Sequence, residues 1–413
     1  MAATTAQLVA HVLRRTTFGP YPGQVEAYLK KGPEKTIAAM LARDPLPTSS
    51  PPDLTNDDSS DPVKWWLSHM ASHAAGVHEK MTWFWHGVVP ISHNKVYWWQ
   101  VEWPAHVILR RYAMGNYRSF LKKITVTPAM LVYLDGSWST VQGPNENYAR
   151  ELQELFTIGQ EHVTESNVQH AALALAGWHA DYDTAKAVFI DERWASLGAS
   201  QKVTVLGKHV YRADGVVDAV CDQSATSRFI ANKAWQFFVG KKPSTATLDS
   251  LAHKYRSSGL DNRTLVTAIL EDSHFLSSRF SRPRYPVEWV IAAMAAMGLG
   301  SKQLMLDTLS GMGQVPFYPP NVAGWPTGDR WVSPSMALAK AAMAVDSPAI
   351  KTVVDAHDPV AAALTRCSIY EVSSQTRRAL KHIAADTDLS HRKSDRARIL
   401  LALCMSSPEF TLA

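Results

Sequence analysis

Apolar residues recur along most of the chain at three- and four-residue intervals, the spacing of amphipathic helices, with proline and glycine punctuating the runs. Leu8, Val9, Val12 and Leu13 open the first such stripe, which stops near Gly19-Pro20, and Val25, Leu29, Ile37, Met40 and Leu41 continue it. Residues 44–62 are rich in Pro, Ser and Asp with almost nothing to bury, which predicts a flexible surface loop. Val63 opens a helical stretch toward Gly87. Residues 145–158 predict a helix stopped by Gly159, and Thr164 reads as the N-cap of the next, running to about Ala176. Only 187–190 and 202–206 read as strands, predicting a single hairpin. Helical patterning resumes near Val216. A Pro/Gly-rich loop, 311–334, precedes further helices near 334–344 and 394–404. The expected fold is mainly α: a compact multi-helical body over 1–413 with one small β-hairpin (about 187–206), and a possible sub-domain break near 186–215.

Composition narrows the class without naming a reaction. The 413 residues suffice for a buried core, and 46% hydrophobic against 19% charged residues exclude general disorder. No apolar run approaches the roughly 20 residues of a membrane span. The net charge of +5 comes as scattered basic pairs, the richest run being Arg392 to Arg398 around Asp395, so a nucleic-acid partner is not expected. Cys221, Cys367 and Cys404 are odd in number and far apart, suggesting neither a disulfide framework nor a zinc knuckle. With no leader-like pattern at the start, the expected location is cytoplasmic. Phosphate-loop, dinucleotide and nucleophile-elbow motifs are missing. His78-Glu79 begins like a zinc-protease motif that Thr82 breaks, so no metal ligand is assigned. The sequence names no cofactor and no oligomeric state.

Two constellations carry candidate chemistry. The segment 65–106 holds seven of the 14 Trp (65, 66, 83, 85, 98, 99, 103) and six of the 16 His (69, 73, 78, 86, 93, 106). Glu79, Trp83 and His86 share a helical stripe, where a carboxylate near an imidazole could tune it for acid–base work; a packed core of indoles and imidazoles is the alternative. The second constellation, 145–159, puts Asn147, Glu151 and Glu154 on one stripe with Glu146 and Arg150 along its edge. Facing solvent, these are ordinary ion pairs; facing a cavity, Arg150 could hold one carboxylate ionised while a desolvated one has a raised pKa. A third feature is the loop 319–326 with Asn321 and Trp325, followed by Trp331.

These segments resemble the bacterial domain-of-unknown-function 1800 family. The matching pieces run nearly end to end: 11–20, 79–86, 144–159, 229–235, 319–326 and 407–410, with Asn-Glu-Asn-Tyr-Ala-Arg-Glu-Leu-Gln-Glu-Leu-Phe from Asn145 to Phe156 the most specific. The resemblance implies a single family-length unit and draws attention to the Glu151 helix; it supplies no activity. Two departures stand out. Relatives tend to have a His where this chain has Val88, and a His-Asp ahead of a strand where it reads Gly198 to Gly207.

The leading expectation is therefore an enzyme acting by acid–base chemistry on a small organic or carbohydrate-like molecule, its site between the Glu151 helix and the His86 segment. Glu151, Glu154 and His86 are the candidate catalytic groups; Asn147, Arg150, Glu79, Trp85, Asn321 and Trp325 are candidate binding residues. The alternatives are a non-catalytic binding or scaffold protein and, third, a metal- or haem-binding redox protein using His86.

Overall fold

The computed structural model describes residues 3–47, 50–190, 203–333, 336, 340, 346–386 and 392–413. The fold is mainly α. Helices follow one another from Thr5–Thr16 to Pro408–Thr411, and the sheet content of the described residues is two small antiparallel pairs. The two expected strands do not pair with each other. Trp178–Asp181 pairs with Lys186–Phe189, and Val203–Val205 with Lys208–Val210, because each has a nearer partner across a short turn. Apart from 336 and 340, the helix expected near 334–344 lies outside the described residues, as does much of the stretch between the two sheets, 191–202.

Local chemistry sets the helix ends. Thr164 caps Glu165–Leu175 by accepting the Asn167 N–H, and Thr4 and Gln7 form a reciprocal capping box on the first helix. The helix of the second constellation runs Glu146–Glu154 and stops before Gly159. Its C-terminal carbonyls are instead taken up by the Thr157 hydroxyl, 2.6 Å from the Leu152 oxygen, and by the Ile158 N–H, 2.9 Å from the Gln153 oxygen. The helical stretch expected from Val63 to Gly87 is two helices, Asp61–Met70 and Val77–Val88. They turn at Gly76, where any Cβ would lie about 3.0 Å from the Met40 carbonyl oxygen.

Helix Val77–Val88 is the axis of the N-terminal half: every residue from Val77 to His86 is buried. A helix apolar or paired nearly all round belongs in a core, and its charged residues are paired, although the buried His78 Nδ1 has no hydrogen-bond partner. Glu79 accepts from Trp66 Nε1 at 2.8 Å and from both Arg110 terminal nitrogens at 2.7 and 2.9 Å, tying three helices together. Trp85 Nε1 donates to the Ala113 carbonyl at 2.9 Å, with its ring stacked on Tyr117.

The described parts of the loop, 44–47 and 50–60, are irregular and tied down. Its carbonyls accept indole N–H groups, Trp65 to Ser50 and Trp99 to Ser59, and Asp57 Oδ1 accepts the Trp99 backbone N–H. A buried indole needs a partner for its N–H, which explains a Trp-rich segment beside a loop that has nothing to bury. Buried apolar side chains from Val9 to Phe410 form one contiguous cluster. No helix of the described residues is long and apolar enough to cross a membrane.

Candidate functional site

The site is built where the C-terminal end of Val77–Val88 meets the 319–326 loop. Gly324 has φ +81, and a Cβ there would fall 2.0 Å from the Gly87 carbonyl oxygen. Only glycine allows both the left-handed backbone and this backbone-on-backbone approach. The approach lays Trp325 over the helix end, its ring 6.0 Å from Trp83 and 23° from parallel. Asn321 holds the turn from outside: its Oδ1 accepts the Ala323 N–H at 2.9 Å, and its side chain is exposed.

Beside Trp83 and Trp325 lies a cavity of about 260 Å³. Its other aromatic walls are Phe84, Phe237 and Tyr285; its polar lining includes Lys233, Gln236, Arg282 and Gln314. No Asp or Glu is among the described lining residues, although a lysine and an arginine both are. Helix Ser224–Val239 supplies Lys233, whose Nζ stands 4.8 Å from the Phe229 ring one turn earlier. Burial lowers the Lys233 pKa to about 8. Gln314 is 1% exposed; its Oε1 accepts the Val287 N–H at 3.0 Å, while its Nε2 has no hydrogen-bond partner.

Arg282 connects the cavity to a buried ion group. Its Nη1 and Nη2 donate to the Glu288 carboxylate at 2.8 and 2.9 Å, and Lys80 Nζ reaches Glu288 Oε1 at 2.5 Å. The Tyr285 N–H adds a third kind of donor at 3.0 Å. Burial opposes ionisation of Glu288, but Arg282 and Lys80 outweigh it and hold the carboxyl far below the usual carboxylate range. Lys80, desolvated more than it is compensated, falls to about 8.

His86 lies beside the cavity within the aromatic cluster. Its ring stacks on Trp83, with 5.4 Å between centroids. Nε2 faces the Phe317 N–H at 3.2 Å and Nδ1 faces Trp325 Nε1–H at 3.3 Å. A neutral imidazole has one bare nitrogen, so it can accept only one of these two, and an imidazolium could accept neither. Burial accordingly pushes its pKa down to about 3, and His86 is neutral at physiological pH. Its neighbour His106 has both ring nitrogens buried without a partner.

The Glu151 helix stands elsewhere. Asn147 is exposed, its Nδ2 3.4 Å from the Leu134 carbonyl. Arg150 pairs with Glu165 at 2.8 Å, Glu146 at 3.3 Å and Glu154 at 3.8 Å, binding its helix to Glu165–Leu175. Glu151 is partly buried; desolvation first, then the Glu154 charge, raise its pKa against the pull of Arg150. None of these residues is among those lining the cavity.

The structure thus brings His86 and Trp325 together, and puts Trp83 and Val88 on the cavity wall. It sets Glu79 against Arg110, Trp85 in the core, Asn321 on the outer turn, and the Glu151 helix apart. Among the described residues no group of three or more His, Cys, Asp or Glu side chains is arranged to hold a metal ion. Lys233, Gln236, Arg282 and Gln314 were not singled out by sequence. One signal was present: Lys233 sits midway between Phe229 and Phe237 on a single helical stripe, a charge where an apolar residue belongs.

Comparison with curated proteins and with solved structures returns no match. A family model does match, described as a protein of unknown function (DUF1800), over residues 11–412. The match takes in helix Val77–Val88, the Glu151 helix, the Lys233 helix and the Trp325 loop alike, and this chain belongs to that family.

Proposed function

We propose that the chain is an enzyme acting by acid–base chemistry on a small organic or carbohydrate-like molecule held in the cavity between Trp83, Trp325 and Lys233. The observation that carries this reading is an amine without a carboxylate partner among the described residues, placed in an aromatic-walled cavity. A pocket of flat apolar walls with a few convergent polar groups suits a small ligand. An amine with a pKa of about 8 exchanges protons near neutral pH, as a general acid or base requires. This reading transfers the chemistry from the Glu151 helix to the Lys233 helix and retains Trp325 as a binding residue. Three buried free cysteines support a cytoplasmic, reducing location.

The scaffold reading keeps one specific support, the Arg150 ion pairs that join two helices at the surface. The test separates the two. A library of small organic acids, aldehydes, ketones and sugars is screened by ligand-observed NMR and by tryptophan fluorescence. Ligands of the cavity quench emission, and Lys233→Met weakens them by about tenfold or more, the cost of one charge-assisted contact. The Glu151→Gln, Glu154→Gln double variant leaves them unchanged. Binding that survives Lys233→Met and disappears in the double variant returns the site to the Glu151 helix.

A further inference from the structure

The cavity lining restricts both the ligand and the part Lys233 plays. Lys233 has an aromatic ring beside it and no carboxylate among the described residues. Gln314, buried to 1% exposure, has an unpartnered Nε2 on a residue that lines the cavity, which is a donor in want of an acceptor. Arg282 in the lining and Lys80, 6.0 Å from the Phe237 ring, share the single carboxylate of Glu288. Two cations to one anion leave the cavity positive, which favours an anionic ligand. The walls Trp83, Phe84, Phe237 and Trp325 favour a planar one.

We propose that Lys233 is a nucleophilic amine that forms an imine with a planar, conjugated aldehyde or ketone bearing a carboxylate. This rests on the cavity being the ligand site. The Nζ lone pair attacks the carbonyl carbon; a C–N bond forms and the C=O π pair moves to oxygen, which takes up a proton as nitrogen loses one. The carbinolamine then loses its hydroxyl as water, protonated on leaving, while the nitrogen lone pair closes the C=N bond, and the resulting protonated imine gives its N–H proton back to water. Amine and carbonyl become imine and water, with no change of oxidation state. Desolvation leaves a useful fraction of Lys233 unprotonated near neutral pH, the condition for attack. Gln314 Nε2 is the available donor for an oxygen of the bound molecule.

The test uses the full chain with 4-carboxybenzaldehyde and sodium cyanoborohydride, read by intact mass and peptide mapping. Benzaldehyde serves as the uncharged comparison and 4-carboxybenzyl alcohol as a ligand that cannot form an imine. The expected result is a single reduced adduct on Lys233, formed about tenfold faster with the carboxylate aldehyde than with benzaldehyde, a difference of one good charged contact. The alcohol slows it by competition, and Lys233→Arg lacks it. Equal rates for the two aldehydes overturn the anionic preference. Adducts spread over surface lysines, with the alcohol still quenching tryptophan emission, overturn the imine and leave the cavity reading standing. No selective adduct and no binding of the alcohol overturn both. Mapping the wild-type chain gives the answer even where the arginine variant folds poorly.

Discussion

The Glu288 group and the Glu151 helix are made of the same residue types and differ in ratio and burial. At Glu288 two cations, Arg282 and Lys80, converge on one carboxylate that is 2% exposed. At the Glu151 helix one guanidinium, Arg150, is shared among three carboxylates with its own side chain about a third exposed. Water screens the second arrangement and is excluded from the first, so the same attraction is weak in one and decisive in the other. A motif can therefore be the most distinctive in the sequence and still be the less consequential in energy.

The sharpest way to break this comparison is Glu288→Gln. It keeps the shape and removes the charge, leaving Lys80 and Arg282 buried without compensation. The expected loss is about 3–5 kcal/mol, seen as a lower urea midpoint. A loss below about 1 kcal/mol, the range of a surface pair, contradicts the buried-group account.

Acid separates buried from exposed groups next. Burial holds His78 at about 4 and His86 at about 3, against the ordinary 6.5 they regain on unfolding. Below pH 6.5 the unfolded chain binds protons that the folded chain refuses, so stability present above that pH is lost as pH falls. Each of these histidines costs about 2 kcal/mol at pH 5. Glu102 acts oppositely. Burial raises it to about 7 despite its 2.7 Å contact with His93, so the folded state takes up a proton first and recovers about 2 kcal/mol between pH 7 and 5. His11 and His106, also lowered by burial, add to the loss. The net expectation is a fall of about 2 kcal/mol or more from pH 7 to 5 by urea titration. A flat profile contradicts the neutral, buried state of His86.

What the sequence made legible was local. Helical periodicity, the Thr164 cap and the irregular 44–60 loop follow from neighbours in the chain, and the mainly α fold with them. Whether the stripe of Asn147, Glu151 and Glu154 faced water or a cavity depended on Glu165 reaching Arg150 and on what packs behind, which no local pattern specifies. The cavity was less legible still, because Trp83, Lys233, Arg282, Gln314 and Trp325 come from separate segments. Each looks ordinary alone. Gly324 beside Trp325 was the better clue, since a glycine next to an indole in a proline-bounded loop marks a close backbone approach.

Lys233→Met sharpens the contrast from the other side. The amine is desolvated with no opposing charge among the described residues of its cavity, so replacing it with an unbranched apolar side chain raises stability by about 1 kcal/mol, discounted for its partial exposure. The thermal midpoint of the variant should rise slightly while ligand quenching of tryptophan falls. A lowered midpoint identifies Lys233 as a packing residue instead of a binding one.

The smallest effect is expected where the sequence drew most attention. Arg150→Ala removes the i,i+4 pairs with Glu146 and Glu154, each worth about 0.2–0.5 kcal/mol in a solvated helix, and frees the short helix from Glu165. High salt should erase most of the difference from wild type, because the charges are screened already. Glu288→Gln should keep most of its effect in the same salt, its partners being out of reach of ions. Measuring both variants at low and high salt therefore tests the comparison directly. A salt-resistant, large loss in Arg150→Ala requires that the Glu151 helix be sealed by a partner or ligand, and it restores that helix as the place to look for chemistry.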